Sequence, residues 1–467
     1  VETILLRVTL KQRTITDSQS TVTHVEFLQV VLQTDAGITG YGMNWSYTPG
    51  LKPAQVMVQD GYAPLLVGKD PAMRKAIVKE LFFHNHFIGR VGAARVAIAA
   101  VEFALWDLAC KQSNQPLWRH LGACRDKVKA YSTDGGWLTW SEDELVRDCC
   151  ALVERGFDAV KVKLGRPDPR EDLRRIAAVR KAVGPAVDIM TDVNCAWTLA
   201  QGKQYGSRLH DYDVKWLEEP MKPEDVRAHE ELAHSIRTPI AVGETIYTRE
   251  AFRDYIAAGA VHYVQADATK VLGIDEWLEI AALASAYNLP VVPHTNVQQN
   301  LHVQLGAAVP ACVLVENCYE SIADIWEERL TVKDGFYPLP QRPGALALLR
   351  KVHELEVQPE GADHGFDAIR VERIQLLRHA VGHGTCGDAP RLRVPDLAGD
   401  AATELEQDLR QLRRLAAARL AGDDPFGADH GAILDDALHE FRDVVPDIER
   451  AHVGWHPAPF LHVDEDA

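Results

Sequence analysis

The chain has 467 residues, which allows two or three domains and enough length to bury a large core. Its 67 acidic side chains outnumber its 50 basic ones, and the net charge of -17 argues against nucleic acid or a membrane surface as a partner. The longest apolar stretch contains Arg95, Glu102 and Asp107, and the N-terminus has no basic-then-apolar leader, so we expect a cytoplasmic protein. Its 8 cysteines include no C-x-x-C pair, which argues against a zinc ribbon.

Residues 1–127 predict an α+β domain. Alternating segments at 3–10 and 24–33 are typical of strands. Residues 93–109 predict a helix with a broad apolar face, because apolar side chains recur there at three- and four-residue spacings: Val96, Ala99, Ala100, Phe103, Ala104 and Leu108.

From about residue 128 the pattern changes to short runs rich in Val and Ile, each followed by a helical stretch. Eight such runs predict the strands of an α/β barrel. They are residues 128–132, 159–164, 186–193, 214–218, 239–243, 263–266, 289–293 and 312–315.

An ionisable residue stands at the end of seven of these runs or just after it, at intervals of 22 to 29 residues. Because the carboxyl ends of the strands of an α/β barrel meet at one mouth, we expect these side chains to converge. They are Lys163, Asp192, Glu218, Glu244, Asp267, His294 and Glu316.

Three of them, Asp192, Glu218 and Glu244, would place three carboxylates together on adjacent strands. Without a counter-charge this cluster is strongly unfavourable because of mutual repulsion and desolvation. A divalent cation relieves it, and hard oxygen ligands suit Mg²⁺, or Mn²⁺, better than zinc. Salt bridges to lysine or arginine on neighbouring strands are the alternative explanation.

The remaining residues supply bases and hydrogen bonds. Lys161 and Lys163 share one face of a strand, where repulsion would lower the pKa of one, making Lys163 a base while Lys161 pairs with a substrate carboxylate. His294, oriented by Asp267, would be a second base. Glu316, if protonated in a dry site, would donate a hydrogen bond to developing negative charge. Ordinary surface or core roles are the alternative for each residue.

Together, a metal, a lysine base and a His-Asp pair predict removal of the proton next to a carboxylate, with stabilisation of the enediolate. Reprotonation on the opposite face gives racemisation or epimerisation of a 2-hydroxy acid, whereas expulsion of a β-hydroxyl gives dehydration. The residues alone leave both reactions open.

In these motifs the chain resembles the enolase superfamily, mandelate racemase subgroup, over about residues 1–344. This resemblance implies an α/β fold, a modified (β/α)₇β TIM barrel over 128–325 with an N-terminal α+β capping domain over 1–127 and a return segment over 326–360. The matching segments are Lys161-Val162-Lys163, Asp192-Val193-Asn194, Glu218-Glu219-Pro220, Gly243-Glu244, Asp267, His294 and Glu316.

The resemblance also implies Mg²⁺ on the three carboxylates, with Lys163 and the His294–Asp267 pair as acid and base. Gln265 stands where the muconate lactonizing branch has a lysine, which favours the mandelate racemase branch. Members of that branch with both bases resemble dehydratases of aldonates or aldarates, so we expect a lyase that forms a 2-keto-3-deoxy acid. A racemase and a non-catalytic protein on the same fold are the alternatives.

The substrate would be a small-molecule carboxylate, and family members commonly form homo-oligomers, so we expect one here. The family binds substrate through two loops of the capping domain, which correspond to residues 14–23 and 44–51. Candidate substrate contacts are Asn194, Trp45, Tyr47, His84 and His86.

The chain departs from the family pattern at two places. Leu272-Gly273 replaces a glycine pair, and the pattern stops after Gly344. Residues 361–467 form an unrecognised extension with predicted helices at 403–420 and 433–444. A regulatory or oligomerisation segment, a poorly ordered tail and a changed reading frame are the open explanations.

Overall fold

The computed structural model describes residues 1–10, 15–295, 297–318 and 325–346. The predicted extension, with its helices at 403–420 and 433–444, lies outside these residues. Within the described ranges, none of the helices combines the length and the apolar character that a membrane crossing requires.

An antiparallel sheet in the order β1-β4-β5 opens the chain, and its register places Glu2 opposite Val31 and Glu26 opposite Ser46. The segments that alternate in sequence are thus strands whose inner faces are buried. A short hairpin, β2-β3, lies between β1 and β4. The bounds are β1 (Glu2–Thr9), β2 (Ile15–Thr16), β3 (Thr21–Val22), β4 (His24–Gln33) and β5 (Thr39–Ser46).

The predicted helix at 93–109 is α4, and it packs directly on β5. Gly42 of β5 allows this approach, because a Cβ there would lie 2.7 Å from the backbone nitrogen of Ala104. The helices of this domain are α1 (Lys52–Val56), α2 (Ala63–Leu66), α3 (Arg74–His84), α4 (Ala93–Gln112) and α5 (Leu117–His120), with a π-helical turn at Met57–Tyr62 and a 3₁₀ turn at Pro71–Met73.

The second part of the chain alternates strands and helices. Its parallel strands are ordered β11-β10-β9-β8-β7-β6-β12, and β13 pairs antiparallel with β6. The strands are β6 (Lys127–Ser132), β7 (Ala159–Lys163), β8 (Asp188–Asp192), β9 (Val214–Glu218), β10 (Ile240–Val242), β11 (Tyr263–Val264), β12 (Val315–Asn317) and β13 (Phe336–Pro338). The helices are α6 (Glu142–Glu154), α7 (Pro169–Val183), α8 (Leu199–Leu209), α9 (Val226–Ser235), α10 (Arg249–Ala257), α11 (Ile274–Ala286) and α12 (Gln299–Ala308), and a 3₁₀ turn, His210–Tyr212, follows α8.

The run at 289–293 pairs less than the sequence predicts. Val291 alone makes parallel bridges, one to Val264 and one to Cys312. Prolines flank it within the run, and a proline has no N–H to donate to a strand ladder, so pairing is confined to the residues between them. These bridges join β11 to the strand that continues into β12 and close the ring. The predicted capped (β/α)₇β barrel is confirmed.

Buried side chains fill the interior of the barrel beneath its mouth. They form one packed group: Tyr131, Ala159, Met190, Trp216, Ala241, Val292 and Leu314. The residues that alternate with them, such as Val160 and Val162, pack outward in the core that includes residues of the surrounding helices. This alternation puts Lys161 and Lys163 on the interior face with Ala159, and both lysines are buried.

Buried charges join α4 of the capping domain to the start of α11 in the barrel. The Glu102 carboxylate accepts hydrogen bonds from the backbone N–H groups of Ile274 and Asp275, each at 3.0 Å. Arg95 donates to Glu276 at 2.5 Å. Burial, with Asp275 nearby, raises the pKa of Glu102 to about 8. A carboxylate at a helix N-terminus satisfies N–H groups that have no partner within the helix, so the two domains are held in one register.

We expect Gly273→Ala to destabilise the protein more than Gly184→Ala. Both glycines have a positive φ, 109° and 78°, where an L-residue is strained. An added Cβ at Gly273 would lie 2.6 Å from Cδ of Glu102, whereas nothing lies within 4 Å of one at Gly184. Because Glu102 is held by buried hydrogen bonds, the extra cost is about 2 kcal/mol. Thermal and urea unfolding of both variants measure it, and equal losses would contradict the steric argument.

Candidate active site

Seven ionisable side chains lie at the carboxyl ends of the barrel strands or in the loops directly after them. Glu244 is half-buried and the others are buried. The barrel topology therefore brings the sequence-predicted residues to a common mouth: Lys163, Asp192, Glu218, Glu244, Asp267, His294 and Glu316.

The carboxylates of Asp192, Glu218 and Glu244 each offer an oxygen atom, and these atoms all lie within 4.8 Å of one another. Burial raises the pKa of Glu218 to about 8, since repulsion from Asp192 and Glu244 adds to desolvation and outweighs the attraction of Lys161. The cluster is thus short of positive charge and offers only hard oxygen donors. Such a donor set fits Mg²⁺ or Mn²⁺.

Lys161 supplies one positive charge to several carboxylates. Its Nζ lies 2.7 Å from Glu218 Oε1, 2.7 Å from Glu316 Oε1 and 3.6 Å from Asp192 Oδ2. Burial disfavours the ammonium, but these carboxylates hold the pKa of Lys161 well above its ordinary value. The salt-bridge alternative therefore accounts for part of the charge in the cluster, but Lys161 is shared among Glu218, Glu316 and Asp192.

Lys163 does not have the lowered pKa that the sequence argument predicts. Burial and the neighbouring Lys161 do disfavour its charge. Its Nζ, however, lies 2.5 Å from Asp192 Oδ2 and donates to Asn194 Oδ1 at 3.0 Å. Asp192 outweighs the opposing effects and raises the pKa of Lys163 above the ordinary value. The amine keeps its proton as long as Asp192 has no other counter-charge.

Glu316 accepts hydrogen bonds and does not donate one. Its Oε1 accepts from Thr133 Oγ1 at 2.6 Å and lies 2.7 Å from Lys161, and its Oε2 accepts from the Thr295 N–H at 3.3 Å. Burial alone would raise the pKa of Glu316, but Lys161 and His294 lower it to about 2. The expectation of a protonated Glu316 is wrong here because the buried ammonium lies in contact with it.

His294 and Asp267 form a hydrogen-bonded pair, with His294 Nδ1 2.9 Å from Asp267 Oδ2. His294 Nε2 lies 3.2 Å from Glu244 Oε2. Burial would lower the pKa of His294, but Glu244 and Asp267 raise it to about 9. Thr269 fixes Asp267 in turn, since its N–H and its hydroxyl both donate to Oδ1 at 2.7 Å. The imidazole is therefore held through Nδ1 and keeps Nε2 toward the carboxylate cluster.

A second histidine on Asp267, His302 of α12, is absent from the sequence-based set. Its Nε2 lies 3.1 Å from the backbone nitrogen of Ala268, and its Nδ1 lies 2.9 Å from the carbonyl oxygen of Gln298. The same Nε2 lies 3.2 Å from Asp267 Oδ1, so His302 and His294 contact the two oxygens of one carboxylate. The sequence gives no distinct signal for it, because the same helix also contains Gln299, Asn300 and Gln304.

The proposed substrate contacts divide into two groups. Asn194 accepts from Lys163 and donates to Glu244 Oε1 at 3.2 Å, so it lies within the cluster. The ring of Trp45 lies 6.3 Å from that of His294, and Tyr47 packs against Trp45 at 4.9 Å. The structure therefore brings these three predicted residues to the mouth of the barrel.

His84 and His86 are not brought to the cluster. Both are exposed on the capping domain. The ring of His84 lies 6.2 Å from that of Tyr62, while His86 packs against Phe87 and lies 2.9 Å from Arg90. Their contacts lie within the capping domain: His84 ends α3 and His86 lies in the turn after it.

Gln265 donates to Glu218 Oε2 at 2.7 Å, and Trp216 donates to the same oxygen at 3.1 Å. The residue that stands in place of a branch-specific lysine is thus a neutral donor. It adds a hydrogen bond to the cluster but no charge.

Residues 1–122 match the family described as mandelate racemase / muconate lactonizing enzyme, N-terminal domain, and residues 144–347 match the enolase C-terminal domain-like family. L-talarate/galactarate dehydratase of Salmonella typhimurium is 31% identical over 71% of this chain and 82% of its own. The 3,6-anhydro-alpha-L-galactonate cycloisomerase of Streptomyces coelicolor is 29% identical over 74% and 94%. The crystal structure of L-talarate dehydratase from Polaromonas sp. JS666, complexed with Mg and L-glucarate, superimposes with a TM-score of 0.71 at 32% identity over 76% and 96%.

The barrel, its cap and the carboxylate cluster define an enzyme of the enolase superfamily. The chain belongs to the mandelate racemase/muconate lactonizing enzyme family, and the resemblance seen in its motifs is confirmed. Its relatives include acid-sugar dehydratases and cycloisomerases. Mg²⁺ is the metal that the related structure contains, and the three carboxylates here fit it.

We expect a pH-dependent loss of stability through Glu218 when divalent cations are absent. The pKa of Glu218 is about 8 in the folded chain against an ordinary 4.5, so the folded state retains a proton that the unfolded state releases. This contribution is full below pH 4.5 and is lost as the pH rises to about 8. In EDTA, the Tm of the wild type should therefore fall more from about pH 5 to 8 than that of Glu218→Gln.

Mg²⁺ should remove this difference, because bound metal favours the ionised carboxylate. Its addition should raise the wild-type Tm more at about pH 8 than at about pH 6, and should raise that of Glu218→Gln far less. Equal Mg²⁺-induced shifts in both proteins would contradict a metal site on Glu218.

Proposed function

We propose that the chain is a Mg²⁺-dependent lyase that dehydrates an acid sugar to a 2-keto-3-deoxy acid. The observation that carries the proposal is the acidic triad flanked by Lys163 on one side and by the His294–Asp267 pair on the other. The dehydratases among the relatives support the reaction, and the talarate dehydratase complex supports an acid sugar as substrate.

The substrate carboxylate would bind beside Lys161, whose buried ammonium already pairs with carboxylates. Asp192, Glu218 and Glu244 would hold the metal. When bound, Mg²⁺ supplies positive charge that makes the C–H next to the substrate carboxylate more acidic and gives Asp192 a counter-ion other than lysine. Lys163 is then free to lose its proton and act as a base.

The chemistry needs one base and one acid. Lys163 Nζ removes the proton from C2, and the electrons of that bond move toward the carboxylate. The C3–O bond breaks as His294 Nε2 donates a proton to the leaving hydroxyl, which departs as water. The enol formed across C2 and C3 then takes up a proton at C3 to give the 2-keto acid. Asp267 keeps the proton-bearing Nδ1 turned away, so Nε2 is the nitrogen that exchanges.

A racemase or epimerase is the second candidate. The observation that favours it is that Lys163 and His294 stand on different sides of the triad, on β7 and after Val291 of the seventh strand. If no β-hydroxyl leaves, His294 can return a proton to C2 on the face opposite Lys163. The cycloisomerase relative supports chemistry without net loss of water.

We expect Lys163→Ala and His294→Asn each to lower kcat about 10²- to 10⁴-fold on the acid sugar that the wild type dehydrates, since each removes a proton-transfer group. A panel of aldonates, aldarates and uronates with Mg²⁺, read as 2-keto-3-deoxy acid with semicarbazide, identifies that substrate. Lys203→Ala, which removes an exposed lysine paired with Glu231 on the helical surface, is the matched control and should keep full activity.

The two candidates differ in product. A racemase would give no keto acid but would exchange the C2 proton with deuterium in D₂O. Exchange without keto acid in the wild type would overturn dehydration in favour of racemisation. Neither signal across the panel would contradict both.

A further inference from the structure

Lys270 is a cation at the barrel mouth that the mechanism above leaves without a role. It lies in the loop after β11, three residues beyond Asp267. In the closed ring of eight strands β11 lies four strands from β7, so Lys270 stands across the mouth from Lys163. The strands between them, β8, β9 and β10, carry the acidic triad or lead directly into it.

The ammonium of Lys270 packs on an aromatic ring and not on a carboxylate. Its Nζ lies 4.0 Å from the centroid of the Trp45 ring. Lys270 Nζ forms no hydrogen bond or ion pair with any other residue that the structure describes. Burial lowers the pKa of Lys270, although Asp267 and Glu244 act at longer range in the opposite direction. Lys270 is half-buried, and its three N–H donors have no acceptor among the described residues, which an incoming anion would supply.

Hydrogen bonds between the capping domain and the barrel fix this pair in place. Asn44 Nδ2 donates to the carbonyl oxygen of Thr269 at 2.9 Å, and Asn44 Oδ1 accepts from the N–H of Trp45 at 2.8 Å. Gln298 donates to the carbonyl oxygen of Met43 at 3.2 Å. The strand that carries Trp45 is therefore tied to the loop that carries Lys270, and the cation is positioned before any ligand binds.

The indole of Trp45 lies near both the proposed acid and this cation, 6.3 Å from His294 by ring centroids and 4.0 Å from the Lys270 amine. A sugar acid whose C2 and C3 lie between Lys163 and His294 would extend its remaining carbons past Trp45. Its far end would then meet a preorganised ammonium. A carboxylate there would form a hydrogen bond in which both partners are charged, whereas a hydroxyl would offer the ammonium only a neutral acceptor.

We propose that Lys270 binds the second carboxylate of a sugar diacid, so that the enzyme prefers aldarates to the corresponding aldonates. This inference rests on the proposed function, because it assumes that an acid sugar occupies the mouth. Lys270 is then a specificity-determining residue, and Trp45 positions its ammonium.

The test is calorimetric titration of the Mg²⁺-loaded protein with matched acids that differ at one end: galactarate and galactonate, glucarate and gluconate, xylarate and xylonate. For the pair that binds most tightly, the wild type should bind the diacid at least about 10-fold more tightly than the monoacid. Lys270→Met should weaken diacid binding about 10- to 100-fold and monoacid binding less than about 3-fold. Lys270→Arg should retain most of the preference.

Lys127→Met is the matched control. Lys127 also packs on an aromatic ring, that of Phe336 at 4.2 Å, but it begins β6 at the opposite end of the barrel. It should leave the ratio of diacid to monoacid affinity unchanged. A purely structural role of Lys270 would weaken both acids equally, and that result would overturn the proposal.

Equal wild-type affinities for diacid and monoacid, or no binding of any acid in the panel, would also overturn it. Failure of this inference is distinguishable from failure of the proposed function. Formation of keto acid from an aldonate without any preference for diacids would keep the dehydratase and overturn the role of Lys270. Selective, Lys270-dependent binding of a diacid without keto acid formation would keep the role of Lys270 and overturn the dehydratase.

Discussion

The charge balance around Lys161 is the constraint on which the site depends. A single buried ammonium contacts Glu218 and Glu316 and lies 3.6 Å from Asp192. It lowers the pKa of Glu316 to about 2, yet burial and repulsion from Asp192 and Glu244 keep the pKa of Glu218 raised to about 8. Lys163 and His294 lie against Asp192 and Glu244, so Glu218 is the carboxylate whose counter-charge is shared, and a divalent cation on the three carboxylates would favour its ionised form.

A shared carboxylate, Asp192, links metal binding to the protonation of Lys163, the proposed base. Lys163 is held as an ammonium by Asp192 at 2.5 Å, an arrangement in which it cannot accept a proton. Any cation that takes over Asp192 releases the lysine from its strongest partner. The site is then poised only when it is loaded, which couples catalytic competence to occupancy through one shared carboxylate. His294 is less dependent on this exchange, because Asp267 holds it from the other side.

The sequence predicts the register of the site well, because a βα unit has a nearly constant length and strand ends in a barrel must meet. The same reasoning does not predict the protonation states of the side chains. Two lysines on one strand predict mutual repulsion, but the carboxylates that face Lys163 come from another strand and dominate it. The prediction of a protonated Glu316 is wrong for the same reason, because Lys161 of another strand contacts its carboxylate. Linear spacing locates charges along one strand, while a pKa depends on every charge across the barrel.

Other parts of the structure leave little trace in sequence. His302 and Lys270 acquire their surroundings from the fold: one is hydrogen-bonded to a loop of the barrel, and the other packs on an aromatic ring of the capping domain. The run at 289–293 is the exception, because its two prolines indicate in the sequence that strand pairing is confined to the residues between them. Turn residues such as His86 carry no periodicity and so no direction.

The division between barrel and cap explains how one catalytic arrangement can serve different acids. The barrel strands supply the carboxylates, the lysines and the histidine, which in the proposed reaction act on atoms common to all 2-hydroxy acids. The cap supplies Trp45, and it is tied to the barrel by Asn44 and by Glu102. On the barrel side these contacts are made by backbone groups of the loop and helix that follow β11. A different side chain at position 270 can therefore change the proposed recognition of the distal substrate carboxylate without disturbing the domain interface. Substrate specificity can then vary at the contact between cap and barrel, while the proposed proton-transfer residues of the barrel stay the same.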